Sequence, residues 1–278
     1  MTDRGADGDR LRAQHLAHDD RCAAAAAAEQ WWGTPLGCLL LRQEQALLDP
    51  VVQDVFGYHA LQLGMPWADL LRESRIAKRA MVDRQPGDIC AEPEQLPFPD
   101  RSIDLLVLPH VLEFSPHPHA VLREANRVLM PEGRLLILGF NPFSLWGLRR
   151  LGAQAYPWLG RYIGVSRLHD WLKLLDLEVE GGSFCAYTPP LRSEASLARW
   201  AFMEKAGDRW WPGAGGAYLL QAVKRVRGLR VLERHGVRAA VRKPVLVATG
   251  RTRQQPAESP PLRCRPALQR VTAERGRS

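Results

Sequence analysis

The sequence lacks a long apolar run. None of its stretches approaches the ~20 consecutive apolar residues that a membrane-spanning helix requires. The first 22 residues are charged, and the alanine run at 23–28 is short and is followed by Glu29, so no secretory signal is expected. We therefore expect a protein without a spanning segment that works in the cytoplasm.

Cysteine is scarce and scattered. The 278 residues contain five cysteines, an odd number with no C-x-x-C pair, which argues against both a disulfide framework and a zinc site. His117 and His119 flank Pro118, but no third ligand stands at a suitable spacing. We expect no metal, and the cysteine usage is typical of a reducing compartment.

Acidic residues are rare at the C-terminal end. Residues 223–278 contain 15 basic and 3 acidic residues, a net charge of +12, while the preceding part has a net charge of −4. We interpret the tail as solvated; contact with nucleic acid or an anionic membrane is the alternative. The expected organisation is a disordered N-terminal segment at 1–28, a domain at 29–227 and a basic, largely disordered tail at 228–278.

Strand and helix patterns alternate along the middle of the chain. The apolar run at 103–109 is typical of a strand covered on both faces, and together with the helix and strand that follow it predicts a parallel βαβ unit. Strands are predicted at 58–64, 77–83, 88–90, 103–109, 134–141, 177–189 and 216–226, and helices at 36–48, 50–56, 67–74, 119–130, 166–177 and 197–211. The last two strands are expected to pair at one edge of the sheet.

Polar residues and a glycine follow the predicted parallel strands. Gly64, Asp83, Glu92, His110 and Asn141 each come at or just after a strand end. Ligands of open parallel sheets bind beyond these carboxyl ends. Two early acids and a glycine suit a nucleoside-type ligand, because carboxylates accept hydrogen bonds from ribose hydroxyls and glycine lets the backbone approach closely.

Residues 88–141 contain an ordered series of short motifs. These are Glu92, Leu96-Pro97-Phe98, Ile103-Asp104-Leu105-Leu106, Leu122-Arg123-Glu124, Arg127-Val128-Leu129 and Pro131-Glu132-Gly133. In content and spacing they resemble the class I S-adenosylmethionine-dependent methyltransferases, and in particular the branch called methyltransferase type 11. A run of about 55 residues in order is far more specific than a lone glycine motif.

The resemblance implies a Rossmann-like α/β fold with a seven-stranded, mostly parallel sheet and helices on both faces. It also implies S-adenosylmethionine as cofactor, lying over the ends of the first strands. By position, the implied contacts are Gly64 for the methionine part, Asp83 for the ribose, Glu92 and Pro93 for the adenine, and Pro109 with His110 beside the reacting methyl group.

Two features depart from the family pattern. The family has an acid followed by alternating glycines after the first strand, whereas residues 62–67 here read Gln-Leu-Gly-Met-Pro-Trp. The span from Asp83 to Glu92 is also too short for the usual helix. Both departures fall on the cofactor half of the site, so a catalytically degenerate binding or scaffold module is the alternative function.

Methyl transfer requires little acid–base chemistry, because the sulfonium is already activated and the enzyme mainly aligns the reactants. A base is needed only where the acceptor must lose a proton. His110 is the first candidate and Glu113 the second; the alternatives are a structural hydrogen bond for His110 and a solvated position for Glu113. The expected function is methyl transfer to an unidentified small-molecule or lipid-like acceptor.

Aromatic residues cluster outside the motif region. Two tryptophan doublets stand at 31–32 and 210–211, for which packing is favoured over covering a pocket. Segment 142–164 mixes aromatic, leucine and arginine residues. It is interpreted as a lid over the acceptor, an interfacial membrane contact or an irregular crossover.

Overall fold

The computed structural model describes residues 23–84, 88–150, 152–153, 155–191 and 193–225. The strands are β1 (His59–Leu63), β2 (Lys78–Asp83), β3 (Ile89–Cys90), β4 (Ile103–Pro109), β5 (Leu129–Phe140), β6 (Leu177–Cys185) and β7 (Ala217–Lys224). The helices are α1 (Pro35–Gln53), α2 (Val111–Phe114), α3 (Pro118–Val128), α4 (Leu145–Arg149), α5 (Val165–Leu174), α6 (Glu194–Trp200) and α7 (Phe202–Trp210). The basic tail predicted at 228–278 and residues 1–22 lie outside this range.

The strands form one seven-stranded sheet in the order β3-β2-β1-β4-β5-β7-β6. The pairs from β3 to β5 are parallel, whereas β7 is antiparallel to both β5 and β6. The mostly parallel Rossmann-like sheet and the reversed edge pair are therefore confirmed. Each predicted strand is present within a few residues of its expected bounds.

The central strand β4 contributes side chains to two cores. Leu105 and Val107 pack on the face that also contains the buried residues of α1, while Leu106 and Leu108 pack with residues of α3 and α5. Because successive side chains of a strand point to opposite faces, a strand covered on both sides must be apolar at every position. This explains the continuous apolar run.

Four local predictions need correction. Residues 65–77 form turns, so no helix occupies 67–74. The helices expected at 36–48 and 50–56 are one helix, α1, because the buried Leu48 and Val52 hold it to the sheet across Pro50. The single helix expected at 197–211 is divided into α6 and α7. The alanine-rich residues 23–28, expected to be disordered, belong to a helical segment at 23–32, which suits alanine's helix propensity.

The amino end of the sheet is held by Asp104. Its Oδ2 accepts hydrogen bonds from the backbone N–H groups of Tyr58 and His59, at 2.8 and 2.9 Å. A Cβ on Gly57 would lie 2.4 Å from the Asp104 side chain, so only glycine fits there. Asp104 thus joins the start of β1 to β4, at the end of the strands opposite to the predicted site.

Arg127 and Glu124 of α3 hold the connection between β3 and β4. The Arg127 guanidinium donates to the carbonyls of Leu96 and Phe98 and to Asp100, and Glu124 accepts from the Leu96 N–H at 2.7 Å. Hydrogen bonding to Arg127 lowers the pKa of Glu124. These motif residues therefore position the connection that carries Glu92 and do not enter the site themselves.

Within the described residues, no helix combines the length and the apolar character that crossing a bilayer requires.

Candidate functional site

The carboxyl ends of β1, β2 and β3 form a continuous edge. The Gly64 N–H donates to the Val82 carbonyl at 2.7 Å, and the Ala91 N–H donates to the Asp83 carbonyl at 3.0 Å. A Cβ on Gly64 would lie 3.3 Å from Cγ2 of Val111, just beyond the end of β4. Gly64, Asp83 and the residues after β3 therefore lie together at the carboxyl ends of their strands, as the sequence predicts.

Gln62 organises the loop after β1 from inside the protein. Its buried Nε2 donates to the carbonyls of Gly64, Met65 and Ala68, at 3.0, 3.2 and 2.8 Å, and its Oε1 accepts from the Leu70 N–H at 2.9 Å. A carboxylate has no proton to give to these carbonyls. The amide at position 62 therefore matches a loop whose carbonyls turn inward.

The loop itself turns sharply. Gly64 has φ +87° and Met65 has φ +55°, both in the left-handed region. Glycine adopts this conformation at little cost, whereas Met65 requires support from its surroundings. The Gln62 contact to the Met65 carbonyl supplies part of that support.

Asp83, the last residue of β2, and Glu92, after β3, both contact Arg84. Asp83 Oδ1 accepts from the Arg84 N–H at 2.6 Å, and Glu92 Oε2 lies 2.5 Å from Arg84 Nε. The Glu92 side chain is 49% exposed, so its ion pair is easily exchanged for another partner. Both carboxylates thus stand where the ribose and base of a nucleoside would meet the strand ends.

Glu94 supports this acidic edge. The Ser115 hydroxyl donates to Glu94 Oε1 at 2.6 Å, and Arg84 lies 3.2 Å from Oε2. Burial alone would raise the pKa of Glu94, but the Ser115 hydrogen bond and the Arg84 charge lower it overall. Glu94 therefore fixes Arg84 between the residues after β2 and the turn after α2.

The edge suits the cofactor that the resemblance implies. By position, Asp83 would accept hydrogen bonds from the ribose hydroxyls, and Glu92 with the buried Pro93 would flank the adenine. Gly64, with φ +87°, would allow close approach of the backbone. The loop after β1 differs from the family's in its proline, which removes one backbone donor. The donor set fits, with fewer backbone contacts to the methionine part.

His110 lies directly after β4 and is buried. It has φ +53° and follows Pro109, whose carboxyl-end position is as predicted. Its Nε2 lies 2.8 Å from Glu44 Oε1, and its Nδ1 lies 3.4 Å from Glu113 Oε1. The side chain is 2% exposed, so both ring nitrogens face carboxylates inside the protein.

The environment of His110 favours the imidazolium. Burial alone would lower the pKa, but the negative charge of Glu44, followed by the hydrogen bond and charge of Glu113, raises the pKa of His110 to about 10. An imidazolium has no lone pair with which to accept a proton. The base role stays a prediction, and the contacts supply a different and structural one: joining α1 to the end of β4.

Glu113 is not a solvated helix residue, so that alternative is wrong. It is 3% exposed, because its Oε1 turns inward to accept the Phe140 N–H at 2.6 Å. The alternative for His110, a hydrogen bond to a neighbouring backbone group, is likewise replaced by the two carboxylates. The structure therefore brings His110, Glu113 and the end of β5 together.

Sequence reasoning missed Glu44. It lies on α1 and is fully buried. The sequence contains an indication of this burial: Leu40, Glu44 and Leu48 are spaced by four, so all three lie on one face of the helix. A charged residue in the middle of an apolar stripe indicates a buried partner.

An aromatic wall surrounds this group. Trp32 Nε1 donates to the Tyr156 hydroxyl at 2.8 Å, and the rings of Trp32 and Phe140 lie 5.5 and 4.2 Å from the His110 ring. Trp31 contacts Trp158 edge-on at 6.3 Å. The packing expected for the first tryptophan doublet is present, and it closes the face of the sheet beside His110.

Several buried polar atoms in this region have no hydrogen-bond partner within the described part of the chain. They are Glu44 Oε2, Glu113 Oε2, Trp158 Nε1 and Tyr162 Oη. An unpaired buried polar atom costs about 1–3 kcal/mol. Two of them belong to the carboxylates that contact His110, so unpaired oxygens lie beside the end of β4.

A large cavity opens beyond the end of β5. Its volume is about 1020 Å³, and its lining includes Pro142, Phe143, Leu148, Arg150, Tyr162 and Trp211. The Tyr162 ring stacks on Phe140 at 5.0 Å, and Phe140 lies against His110. The rings of Tyr162 and Phe140 therefore lie between the cavity and His110.

Asn141 directly precedes the cavity residues Pro142 and Phe143. Its Nδ2 donates to the carbonyls of Gly213 and Gly215, both at 2.9 Å, and its Oδ1 accepts from the Phe143 N–H at 3.0 Å. Asn141 was expected at a strand end facing a ligand. The structure gives it the task of tying the chain after β5 to the residues before β7.

Segment 142–164 is both anchored and exposed. Trp146 is buried, and its Nε1 donates to the Thr188 carbonyl at 3.0 Å. Phe143 and Leu159 are 80% and 64% exposed. The segment is a packed crossover with apolar side chains on its outer side, and the lid and the membrane contact stay predictions.

The histidines beside Pro118 have structural contacts. The His119 ring packs on Trp171 at 3.8 Å, and the His117 N–H donates to the Ser115 hydroxyl at 3.0 Å. Among the residues that the structure describes, no group of three or more histidine, cysteine or acidic side chains is arranged to hold a metal ion.

The chain is similar to a methyltransferase domain family and to two uncharacterised bacterial proteins. Residues 68–137 match the family model described as a methyltransferase domain. The chain is 36% identical over 159 residues to the uncharacterised protein YafS of Escherichia coli K12, covering 55% of this chain and 66% of YafS. This chain thus spans slightly less than two thirds of that relative. It is also 30% identical over 207 residues to the uncharacterised protein Rv2003c of Mycobacterium tuberculosis, covering 69% of each.

A solved structure shows the same architecture. An S-adenosylmethionine-dependent methyltransferase of Thermotoga maritima superposes with a TM-score of 0.50 at 15% identity, covering 71% of this chain and 94% of that one. At this identity the likeness shows the fold, which agrees with the seven-stranded sheet described above. The motifs, the family model and the fold agree, and the chain belongs to the class I S-adenosylmethionine-dependent methyltransferases.

Proposed function

We propose that this protein binds S-adenosylmethionine at the carboxyl ends of β1 to β4 and transfers its methyl group to an acceptor with a large apolar body. The observation that carries the proposal is the cavity of about 1020 Å³ beyond β5, separated from His110 by the rings of Tyr162 and Phe140. Cofactor and acceptor sites would then both lie beyond the carboxyl ends of the central strands.

The cofactor would be held by residues at successive strand ends. Gly64 would lie under the methionine part, Asp83 and Glu92 would bind the ribose and flank the adenine, and Pro93 and Pro109 would form apolar walls. The cofactor supplies a methyl group already activated on a sulfonium. The chain then has to orient the two reactants and exclude water.

Proton transfer would be a secondary task. Where the acceptor must lose a proton, Glu113 is the better of the two predicted catalytic residues, since its Oε2 has no hydrogen-bond partner among the described residues. His110, held as an imidazolium, would orient that carboxylate and fix the end of β4. This exchanges the roles that the sequence alone suggests for the pair.

The cavity indicates the class of acceptor. Its lining is predominantly apolar and aromatic, and its volume is at the upper end of the ~300–1,000 Å³ of small-molecule sites. Arg150 lies 5.6 Å from the Tyr162 ring at one side, where it can pair with an oxygen anion. We therefore favour a lipid-like acceptor that carries an oxygen function over a small, fully polar one.

A methylation assay tests this proposal. The full chain, methyl-labelled S-adenosylmethionine and a cell extract should produce label in the fraction that partitions into organic solvent. Leu148→Trp, which fills the cavity, should lower that label at least tenfold, while Leu174→Trp on α5, which is 82% exposed, should leave it unchanged. Label confined to the aqueous fraction, or equal in both variants, would contradict the acceptor class.

The second candidate is a binding module without catalysis. It is favoured by the loop after β1, where Gln62 replaces the family's acid, Pro66 removes a backbone donor and Gly64 is the one glycine that remains. The two candidates differ in cofactor affinity. The enzyme must bind S-adenosylmethionine, and a degenerate module need not.

A further inference from the structure

The mouth of the cavity is surrounded by exposed apolar side chains. Phe143, Leu145, Leu148 and Trp211 are 80%, 45%, 62% and 61% exposed, and all four line the cavity. Single exposed apolar residues are ordinary, but a contiguous group around a pocket indicates a binding surface. We call this group the rim.

Helix α7 extends the rim on one side. Met203 and Gly207 of α7 line the cavity, while Phe202 and Trp210 at its two ends are 61% and 70% exposed. Burying such large apolar side chains is worth about 1.5–3 kcal/mol each. A partner that covers these side chains would therefore gain this free energy of burial.

The charge around the rim is positive. Segments 142–150 and 199–211 together contain five basic and two acidic residues. Arg150, Lys205 and Arg209 are exposed. One of the two acids, Glu204, is engaged internally, because its Oε1 accepts from the N–H and the hydroxyl of Thr188, at 2.8 and 2.7 Å.

Aromatic and leucine side chains with cations beside them are typical of surfaces that lie in a membrane interface. The aromatic rings enter the headgroup region, and each basic residue near an anionic bilayer adds about 1 kcal/mol. A protein bound over the rim would close the cavity, whereas a lipid surface would open it to apolar molecules. The observations therefore favour a lipid surface as the partner.

We infer that the rim docks on the surface of an anionic bilayer, and that the acceptor enters the cavity from that bilayer. The second half of this inference rests on the proposed function; the docking does not. Phe143 and Trp211 would insert into the bilayer, and Arg150, which also lines the cavity, would lie at the headgroups.

Vesicle co-sedimentation of the full chain tests the docking. The probes are vesicles of phosphatidylglycerol mixed with phosphatidylcholine, and vesicles of phosphatidylcholine alone. The wild-type protein should bind the anionic vesicles more tightly. The double variant Phe143→Ser with Trp211→Ser should bind them at least tenfold more weakly, as expected from the loss of two buried rings (roughly tenfold per 1.4 kcal/mol).

A matched control lies at the other end of the sheet. Phe56 is 72% exposed beside Arg75, just before β1, so it resembles the rim in chemistry but not in place. Phe56→Ser should bind vesicles like the wild type. All variants keep the basic tail, and circular dichroism with thermal melting establishes that each is folded.

The outcomes separate the two proposals. Equal binding by the rim variant and the wild type, equal loss in Phe56→Ser, or no preference for anionic vesicles would overturn the docking. Calorimetry with S-adenosylmethionine on the same samples reports independently on the cofactor. Cofactor binding without vesicle binding would leave the methyltransferase proposal standing, and vesicle binding without cofactor binding would remove it.

Discussion

Glu44 Oε1 lies 2.8 Å from Nε2 of His110, and both side chains are almost fully buried. The contact joins α1 to the residue directly after β4, across 66 positions of the chain. Glu113, three residues after His110, approaches the other ring nitrogen. The end of the central strand is therefore held by an ionic group inside an aromatic wall, next to the predicted position of the reacting methyl group.

The stability of the protein should fall at alkaline pH because of this group. The pKa of His110 is raised from 6.5 to about 10, so its contribution to the free energy of unfolding is complete below pH 6.5 and is lost as the pH rises through 10. Urea unfolding at a series of pH values measures this. Glu44→Gln should lower stability at pH 7 by about 3–5 kcal/mol and flatten the decline.

Glu29→Gln is the control, since Glu29 is exposed. It should leave both the stability and its pH dependence unchanged. A wild-type protein equally stable at pH 7 and pH 10 would show that the imidazolium is not present.

Restoring the family's acid at position 62 should damage the loop after β1. In Gln62→Glu, three inward-facing carbonyls lose their donor, and a carboxylate is buried without a cation. Lost hydrogen bonds and buried charge together should cost about 3 kcal/mol or more in thermal unfolding. Gln53→Glu, at the exposed end of α1, should be neutral. Unchanged stability together with tighter cofactor binding in Gln62→Glu would contradict this, because the loop would then accept the family's acid and need no donor at position 62.

Arg127→Ala should loosen the connection between β3 and β4. It removes the ion pairs with Asp100 and Glu124 and the donors to two backbone carbonyls. Because the network is partly exposed, a loss of about 1–3 kcal/mol in urea unfolding is expected. Arg123→Ala, on the exposed side of the same helix, should be close to neutral. Equal effects of the two substitutions would refute the clamping role.

Two buried tyrosines should respond differently to loss of the hydroxyl. Tyr218 donates to the Ile163 carbonyl at 2.9 Å, so Tyr218→Phe should cost about 1 kcal/mol. The hydroxyl of Tyr162 has no hydrogen-bond partner among the described residues, so Tyr162→Phe should be neutral or slightly stabilising. Thermal unfolding measures both. A larger loss in Tyr162→Phe would mean that its hydroxyl serves the fold and not a ligand.

The sheet could be predicted from the sequence because its signals are local. Leu105 to Leu108 form an uninterrupted apolar run, and the helix after it keeps one face apolar. The helix predicted at 67–74 is absent: its residues have ordinary helical propensity, but the contacts that shape this turn come from Gln62, outside the segment. In this segment the hydrogen bonds to Gln62 outweigh the helix propensity of the residues.

The candidate site was only partly predictable. Gly64, Asp83 and Glu92 follow from their position at strand ends, which any parallel sheet brings to one edge. The burial of Glu44 and the cavity could not be read in the same way, since the cavity joins residues near 142–150, 162, 187 and 203–214. Such a site depends on how distant segments pack, and no local pattern records it.

Whether this chain binds the methyl donor can be measured by calorimetric titration of the cofactor-free full chain with S-adenosylmethionine and S-adenosylhomocysteine. We expect micromolar binding of both ligands, at least tenfold weaker in Glu92→Ala and unchanged in the control Glu132→Ala, which removes an exposed acid of β5. No binding of either ligand up to about millimolar, near −4 kcal/mol, by a folded protein would contradict the assignment of methyl transfer to this chain.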